Sequence, residues 1–390
     1  MNIDALFYEY NPWWEPDAVF PNVIVREKIL TPLVDLLASP DVLMLTGLRR
    51  VGKTTMMKCL IRHLIEKQDI DPKHCCYISL DDYQLKDMTL PDIIACYRRL
   101  IGLSVKQRVY LFLDEITALP DFQVQLKNLY DRGVVKCIVS SSSSSVLKDT
   151  SAHLTGRKRV VEVDPLDFDE YLLFRNVEIS PADTPLLERH FLDYMRCGGM
   201  PEYILRQDRE YLVNLIDDII MKDIVGFHGL RNPQVLKEFF ILLMERAGKQ
   251  VSINKLANIL KISPDSAKRY LAMFEAAYLV HLVSRDGKTN ETVLSAKKIY
   301  ATDVGMRNVT VGFRDKGAVF ENIAYMRLRR YNPRYVLFNG QEIDFILSTN
   351  VLVEIKYQRA IEGKQAHAFE AHPAGKKVVI SGVADLMRFE

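Results

Sequence analysis

The chain has 390 residues, 48% of them hydrophobic and 26% charged, with a net charge of +2. That length accommodates two or three domains of about 150 residues, and the composition is that of a globular protein. Near-neutral charge neither demands nor excludes a nucleic-acid partner, and no apolar run reaches the ~18 residues that a membrane-spanning helix needs. The start, "MNIDALFYEYNPWWEP", lacks the basic and apolar stretches of a secretory signal. Six cysteines (59, 75, 76, 96, 137 and 197) are scattered without a C-x-x-C pair. This spacing argues against a disulfide framework or a thiolate zinc site and fits a reducing cytoplasm, the expected location.

Both tryptophans lie in "YNPWWEP". Two adjacent indoles are costly to expose, so they either dock on a neighbouring core or wall a bound base. "DVLMLTG" (41–47) reads as a buried strand entering a glycine loop, and "TTMMKCLIRHLIEKQ" (54–68) has helical apolar spacing. "CCYISLDD" (75–82), "RVYLFLDEI" (108–116), "VKCIVSSS" (135–142) and "KRVVEVDPL" (158–166) are further short strands with helical segments between them. Such alternation predicts an α/β fold with a parallel sheet covered on both faces. After Phe168 the pattern turns helical. Residues 252–285 read as helix, turn, helix and strand, and from about 298 strands and helices mix again. Boundaries are expected near 170, 230 and 295. The run Ser140–Ser145 is the one low-complexity stretch.

"GLRRVGKT" (47–54) matches G-x-x-x-x-G-K-[ST] between a strand and a helix. Gly47 and Gly52 allow the backbone to curl so that the N–H groups of Leu48, Arg49, Arg50, Val51, Lys53 and Thr55 can face phosphate oxygens. The helix starting near Lys53 adds its positive end. Lys53 is expected at the β- and γ-phosphates of ATP, and Thr54 at Mg²⁺. Asp114, ending "VYLFLD", would orient the same Mg²⁺ or its water. Glu115, at the carboxyl end of the strand, is placed to polarise an attacking water. These residues resemble the AAA+ branch of P-loop ATPases. The resemblance implies a polar sensor ending the next strand, for which Ser140 to Ser142 are candidates unless the serines simply form a flexible loop. It also implies an arginine before the fifth strand that acts across a subunit interface. Arg157 of "LTGRKRVVEV" fits, with Arg159 second, and a homo-oligomer would follow; a solvated surface arginine is the other reading. "CGGMPEYIL" (197–205) resembles the turn that opens the helical lid of such ATPases.

The segment 252–285 resembles a winged helix, with Lys268 and Arg269 on early turns of its second helix. Such modules read DNA or bind proteins, and the charge pattern leaves both open. In "GQEIDFILSTNVLVEIKYQ" (340–358), a turn at Ser348-Thr349-Asn350 would set Asp344 opposite Glu354, with Lys356 on the same face. Two close carboxylates repel, and a divalent cation such as Mg²⁺ or Mn²⁺ would offset that. The set resembles the PD-(D/E)xK nuclease fold, which implies metal ligation by Asp344, Glu354 and, from a preceding helix, Glu321, with Lys356 positioning water or phosphate. Ile343 stands where that family has proline. A plain salt-bridged hairpin is the alternative.

The whole chain resembles a prokaryotic family that joins an AAA+-like ATPase to a C-terminal nuclease-like domain. "NPWW", "GLRRVGKTT", "LFLDEI", "LTGR", "GGMPE", "FEN" and "EIDFIL…VEIKYQ" carry the match. Ser140-Ser141-Ser142 departs from the family's Thr-Gly-Ser. The resemblance implies an N-terminal strap (1–30), a P-loop core (31–170), a helical lid (171–230), a winged-helix module (231–295) and a restriction-endonuclease-like α/β domain (296–390). Two functional readings follow: an ATPase acting on DNA through a metal-dependent nuclease-like domain, or a nucleotide-switched scaffold in which that domain is inert.

Overall fold

A computed structural model describes residues 3–144, 154–180, 183–230 and 232–389, so Ser145 of the serine run lies outside the described residues. The chain divides into two compact units, Met1–Asp164 and Pro165–Glu390.

The first unit is built on a five-stranded sheet, β1 (Val42–Thr46), β2 (Cys75–Ser79), β3 (Val109–Asp114), β4 (Val135–Ser141) and β5 (Lys158–Glu162), in the order β2-β3-β4-β1-β5. Every pairing is parallel. β1 and β4 are buried at every residue, as a sheet covered on both faces requires. Around it lie α1 (Ile3–Tyr10), α2 (Glu27–Asp35), α3 (Lys53–Gln68), α4 (Leu90–Ile101) and α5 (Phe122–Arg132). The register decides what meets at the carboxyl ends: Thr46 lies beside Ser141, and Leu113 beside Val139. The phosphate loop, Asp114 and the serine run therefore leave adjacent strands side by side.

β2 is an edge strand, and its outer rim would leave unpaired backbone groups. The N-terminal segment closes it with side chains. Asn11, fully buried, donates from Nδ2 to Tyr77 O (2.9 Å) and accepts from Tyr77 N (2.6 Å), imitating a strand neighbour. Trp13 and Trp14 both donate their indole N–H to Cys75 O at 3.0 Å. The two indoles are buried, and Trp14 stacks on Tyr97 of α4. They are docked on the sheet edge.

The second unit begins with α6 (Phe168–Phe174), α7 (Thr184–Cys197), α8 (Pro201–Arg206) and α9 (Arg209–Asp218), the last continuing as a π-helix over Ile219–Gly226. Gly199, between α7 and α8, packs so tightly that a Cβ there would stand 2.1 Å from Leu166 O. Next come α10 (Pro233–Glu245), β6 (Gln250–Val251), α11 (Ile253–Leu260), α12 (Pro264–Ala276), β7 (Val280–Val283), α13 (Thr289–Leu294) and β8 (Lys297–Ala301). β6, β8 and β7 form an antiparallel sheet in that order. α12 stops at Ala276, because Tyr278 takes a left-handed φ of 57° and turns the chain into β7.

After α14 (Val304–Val311) and α15 (Lys316–Leu328) comes a four-stranded sheet ordered β12-β11-β10-β9. Its strands are β9 (Arg334–Phe338), β10 (Gln341–Ile346), β11 (Val351–Ile355) and β12 (Lys376–Ile380), with α16 (Gly363–Ala371) before β12 and α17 (Val383–Arg388) after it. β11 and β12 are parallel and the other neighbours antiparallel. Phe345, Val353 and Ile355 join Phe320 and Tyr325 of α15 in one core, while Leu352, Val336 and Ile343 meet Phe369 of α16 in another. The two sheets of this unit are joined where Arg285 bridges Tyr335.

Two stability predictions follow from these packing features. Asn11→Ala would strand the buried N–H and C=O of Tyr77, and should lower the stability of the first unit by about 3 kcal/mol in denaturant titration. Asp303, which caps α14 by accepting from Met306 N (2.8 Å) and also accepts from Gly199 N (2.6 Å), is raised by burial to about 6 despite these donors. Its folded-state pKa lies above the ordinary aspartate value. The stabilisation by the protonated form is complete below about pH 4 and is lost as pH rises through about 6. The slope of second-unit stability across that window, worth about 3 kcal/mol in all, should flatten in Asp303→Asn.

Candidate functional site

Two polar centres stand out, one in each unit. The first lies at the carboxyl ends of β1, β3 and β4. The phosphate loop turns tightly through Gly47 (φ 142°), Arg50 (φ 63°) and Gly52 (φ 101°). Gly47 also admits the backbone just after β5: a Cβ at that position would stand 2.2 Å from Val163 O. Arg26 braces the loop from behind, donating to Val51 O (3.0 Å) and Asp164 O (2.9 Å). Leu48 and Val51 are buried under the loop, Arg50 is exposed, and Arg49, Thr54 and Thr55 are half-buried. α3 starts at Lys53, so its first N–H groups open toward the loop.

The side chains that the sequence singled out converge here. Lys53 Nζ donates to Gly47 O (2.9 Å), Leu48 O (3.0 Å) and Ser142 Oγ (2.9 Å). Ser142 Oγ in turn donates to Glu115 Oε1 at 2.7 Å. Ser140 donates to Asp114 Oδ1, and its Oγ accepts from Glu115 N at 3.0 Å. Glu115 sits in the left-handed region (φ 50°), a conformation that costs a non-glycine residue about 1 kcal/mol or more. Thr54 Oγ1 donates to Asp114 Oδ2 at 2.5 Å. A hydroxyl and a carboxylate meeting beside a phosphate loop suit the hard, oxygen-seeking Mg²⁺. This set therefore fits the ion expected with ATP.

Sequence reasoning did not find Tyr77. From β2 its hydroxyl donates to Asp114 Oδ2 at 2.7 Å. Burial, then the Asp114 charge, pushes the phenol far above its ordinary value, so it remains a donor. Strand alternation around "CCYIS" could place Tyr77 on a sheet face, but nothing local links it to Asp114.

Arg157 is not brought to this centre within the chain. It precedes β5, whose first residue pairs with Val42 at the start of β1, the far end of the sheet from the loop. There it contacts Asp131 (3.4 Å) and lies over the Tyr130 ring. Arg159 is paired with Asp41 at 2.8 Å.

The second centre lies between α15, β8 and the β10–β11 hairpin. The hairpin register pairs Phe345 with Val353 and Leu347 with Val351, which sets Asp344 across from Glu354. Asp344 is nearly buried and Glu354 fully so. Glu354 accepts from Lys356 Nζ (2.8 Å), Gln365 Nε2 (2.6 Å) and Asp344 N (3.2 Å). Asp344 Oδ2 accepts from Ile355 N at 2.9 Å. Its other oxygen faces Lys298 Nζ at 3.3 Å. Lys298 also reaches Glu321 Oε1 (3.0 Å) and Glu342 Oε1 (2.9 Å), and Tyr300 donates to Glu321 Oε1 at 2.7 Å. Burial first, and the Asp344 charge second, raise both Glu321 and Glu354 to about 7.

This arrangement does not fit the expected metal. Each oxygen of Asp344 and Glu354 already accepts a protein proton. Among the described residues, Glu321, Asp344 and Glu354 do not form a group whose carboxylate oxygens all lie within 4.8 Å of one another. Lys298, Glu342 and Gln365 were missed in the sequence. Lys298 belongs to a strand of another sheet, and a lysine within "KKIY" carries no sign of burial.

Residues 39–172 match a family model described as "AAA domain". Residues 188–317 match one described as "Domain of unknown function (DUF8612)". The first match spans most of the first unit, which is thus similar to an AAA domain. The chain is 29% identical over 356 residues to "Uncharacterized protein MJ1544" of Methanocaldococcus jannaschii, covering 85% of this chain and 78% of that protein. It is 24% identical over 346 residues to an "Uncharacterized protein" of Haemophilus influenzae, covering 83% and 84%. Among solved structures, AMPPCP-bound DnaA from Aquifex aeolicus aligns with a TM-score of 0.29 at 15% identity, over 67% of this chain and 92% of that one. PCH-2 of C. elegans aligns at 0.26 and 20%, over 45% and 44%. Scores that low assign neither fold nor function. No described helix is long and apolar enough to cross a membrane.

The hydroxyl on Asp114 gives a test of the first centre. Tyr77→Phe keeps the ring and removes one of the donors that orient this carboxylate. The Mg²⁺ concentration needed for half-maximal Mg²⁺ binding at this centre should rise about tenfold, as isothermal titration would read it.

Proposed function

We propose that this protein binds and hydrolyses ATP in its first unit and uses the nucleotide cycle to control modules in its second. The chain Lys53–Ser142–Glu115 beside the Thr54–Asp114 pair carries this reading. In it, Lys53 neutralises phosphate charge, Thr54 and Asp114 hold Mg²⁺, and Glu115 polarises the attacking water with Ser142 as the polar sensor. Bound Mg²⁺ would supply charge neutralisation on the phosphates. Arg157, remote from the loop of its own chain, suits action on the nucleotide of a second copy, and a homo-oligomer is part of the proposal.

For the second unit we propose a winged-helix module and a nuclease-like domain. The order α10, β6, α11, α12, β7, α13, β8 with an antiparallel sheet supports the first. Glu321 on α15, Asp344 on β10, and Glu354 and Lys356 at β11 and its end, followed by α16 and β12, support the second. The partner proposed for them is DNA. Of the two functional readings, the ATP-switched scaffold is favoured over the metal-dependent nuclease by the protein donors that already occupy the carboxylates of the second centre.

Phosphate release by the full chain tests the core of this proposal. Lys53→Ala should abolish hydrolysis, and hydrolysis persisting at the wild-type rate would refute the phosphate-loop assignment. Glu115→Gln should retain ATP binding while turnover drops about 10²- to 10⁴-fold. Incubation with plasmid DNA and Mg²⁺ or Mn²⁺ should give salt-sensitive binding without cutting. Cutting lost in both Asp344→Ala and Lys356→Ala would restore the nuclease reading.

A further inference from the structure

The carboxylates of the second centre are supplied with a cation by the protein itself. Glu321, Glu342, Asp344 and Glu354 crowd one end of the β10–β11 hairpin, and mutual repulsion of this kind is relieved by protonation or by positive charge. Lys298 enters from β8, a strand of the neighbouring sheet in the same unit, with its side chain 1% exposed. Its ammonium reaches Glu342 at 2.9 Å, Glu321 at 3.0 Å and Asp344 at 3.3 Å. An ammonium offers three protons, and here three carboxylates face it.

Burying an ammonium so completely is costly unless it is paired, and Lys298 is paired threefold. The side chain therefore stays charged. A divalent ion would need the same oxygens at about 2.0–2.6 Å and an open face. It would also meet a fixed positive charge that cannot diffuse away. Lysine and metal exclude each other at this position. The Glu354 side is closed in the same manner by Lys356 and Gln365.

We propose that Lys298 is the resident cation of this centre, replacing the divalent ion that a nuclease-like fold would recruit, so that the native centre binds neither Mg²⁺ nor Mn²⁺. This rests on the nuclease-like reading of the second unit. The consequence is a module that keeps a nucleolytic framework and works by binding.

The test is Mn²⁺ titration of the full-length, nucleotide-free protein, followed by electron paramagnetic resonance of the free ion, with thermal melting alongside. Asp344→Asn separates Mn²⁺ at this centre from Mn²⁺ at the phosphate loop. The wild type should take up no Mn²⁺ that Asp344→Asn removes. Lys298→Met, which keeps length and removes charge, should gain one Mn²⁺ per chain beyond the wild type, lost again in Lys298→Met/Asp344→Asn, and only the single variant should show a larger Mn²⁺-induced rise in melting temperature than the wild type. Asp344-dependent uptake by the wild type would overturn the proposal and uphold the nuclease-like metal centre. A folded Lys298→Met that still takes up no Mn²⁺ would overturn both this proposal and the nuclease-like reading. If Lys298→Met aggregates, Lys298→Gln carries the second arm with the same outcomes.

Discussion

The Asp114 carboxylate organises the first unit. It is 4% exposed at the carboxyl end of β3, where burial of an ionised group is tolerated only with donors around it. Those donors come from three elements: Thr54 from α3, Tyr77 from β2 and Ser140 from β4. Meeting this requirement fixes the phosphate-loop helix, the edge strand and the serine run around one atom group. Ser140 also accepts from Glu115 N, so the left-handed turn that aims Glu115 is held by the same residue. The effect extends to the N-terminus, because Asn11 pairs both backbone groups of Tyr77.

Edge protection and site construction are therefore linked in this unit. Without its N-terminal segment, β2 would present free backbone groups on its outer side, and Tyr77 would lose its constraint on that side. The tryptophans contribute through Cys75 O, two residues away on the same strand. What reads in the sequence as an aromatic strap acts in the fold as a substitute strand made of side chains.

Much of this was legible because the physics is local. Five apolar runs separated by helical periods specify a parallel sheet, and a glycine loop between β1 and α3 specifies a phosphate-binding turn. The hairpin register was legible too, since a three-residue turn ending in Asn350 (φ 60°) forces Asp344 opposite Glu354. β9 has a local signal as well, "NG" at 339–340 between two strand-like runs, with both residues at positive φ. What local pattern could not supply was side-chain partnership across distance. Tyr77 lies 37 residues from Asp114, and Lys298 lies 46 from Asp344. Charge counting on the hairpin alone calls for a counter-ion, and only the fold brings Lys298 from another strand within reach of these carboxylates.

The two centres answer one problem, acidic groups gathered at the end of a sheet, by different means. Around Asp114 the donors are neutral hydroxyls, each worth about 1.5–3 kcal/mol to an ionised carboxylate, and a divalent cation arriving with nucleotide brings charge that they lack. Around Asp344 the donors include a tethered ammonium, whose loss would leave buried carboxylates unpaired at a cost of several kcal/mol. The first arrangement is exchangeable and the second is fixed. Under the proposed function, a nucleotide-borne cation would displace the donors of the first centre, while the buried charges of the second stay paired within the protein.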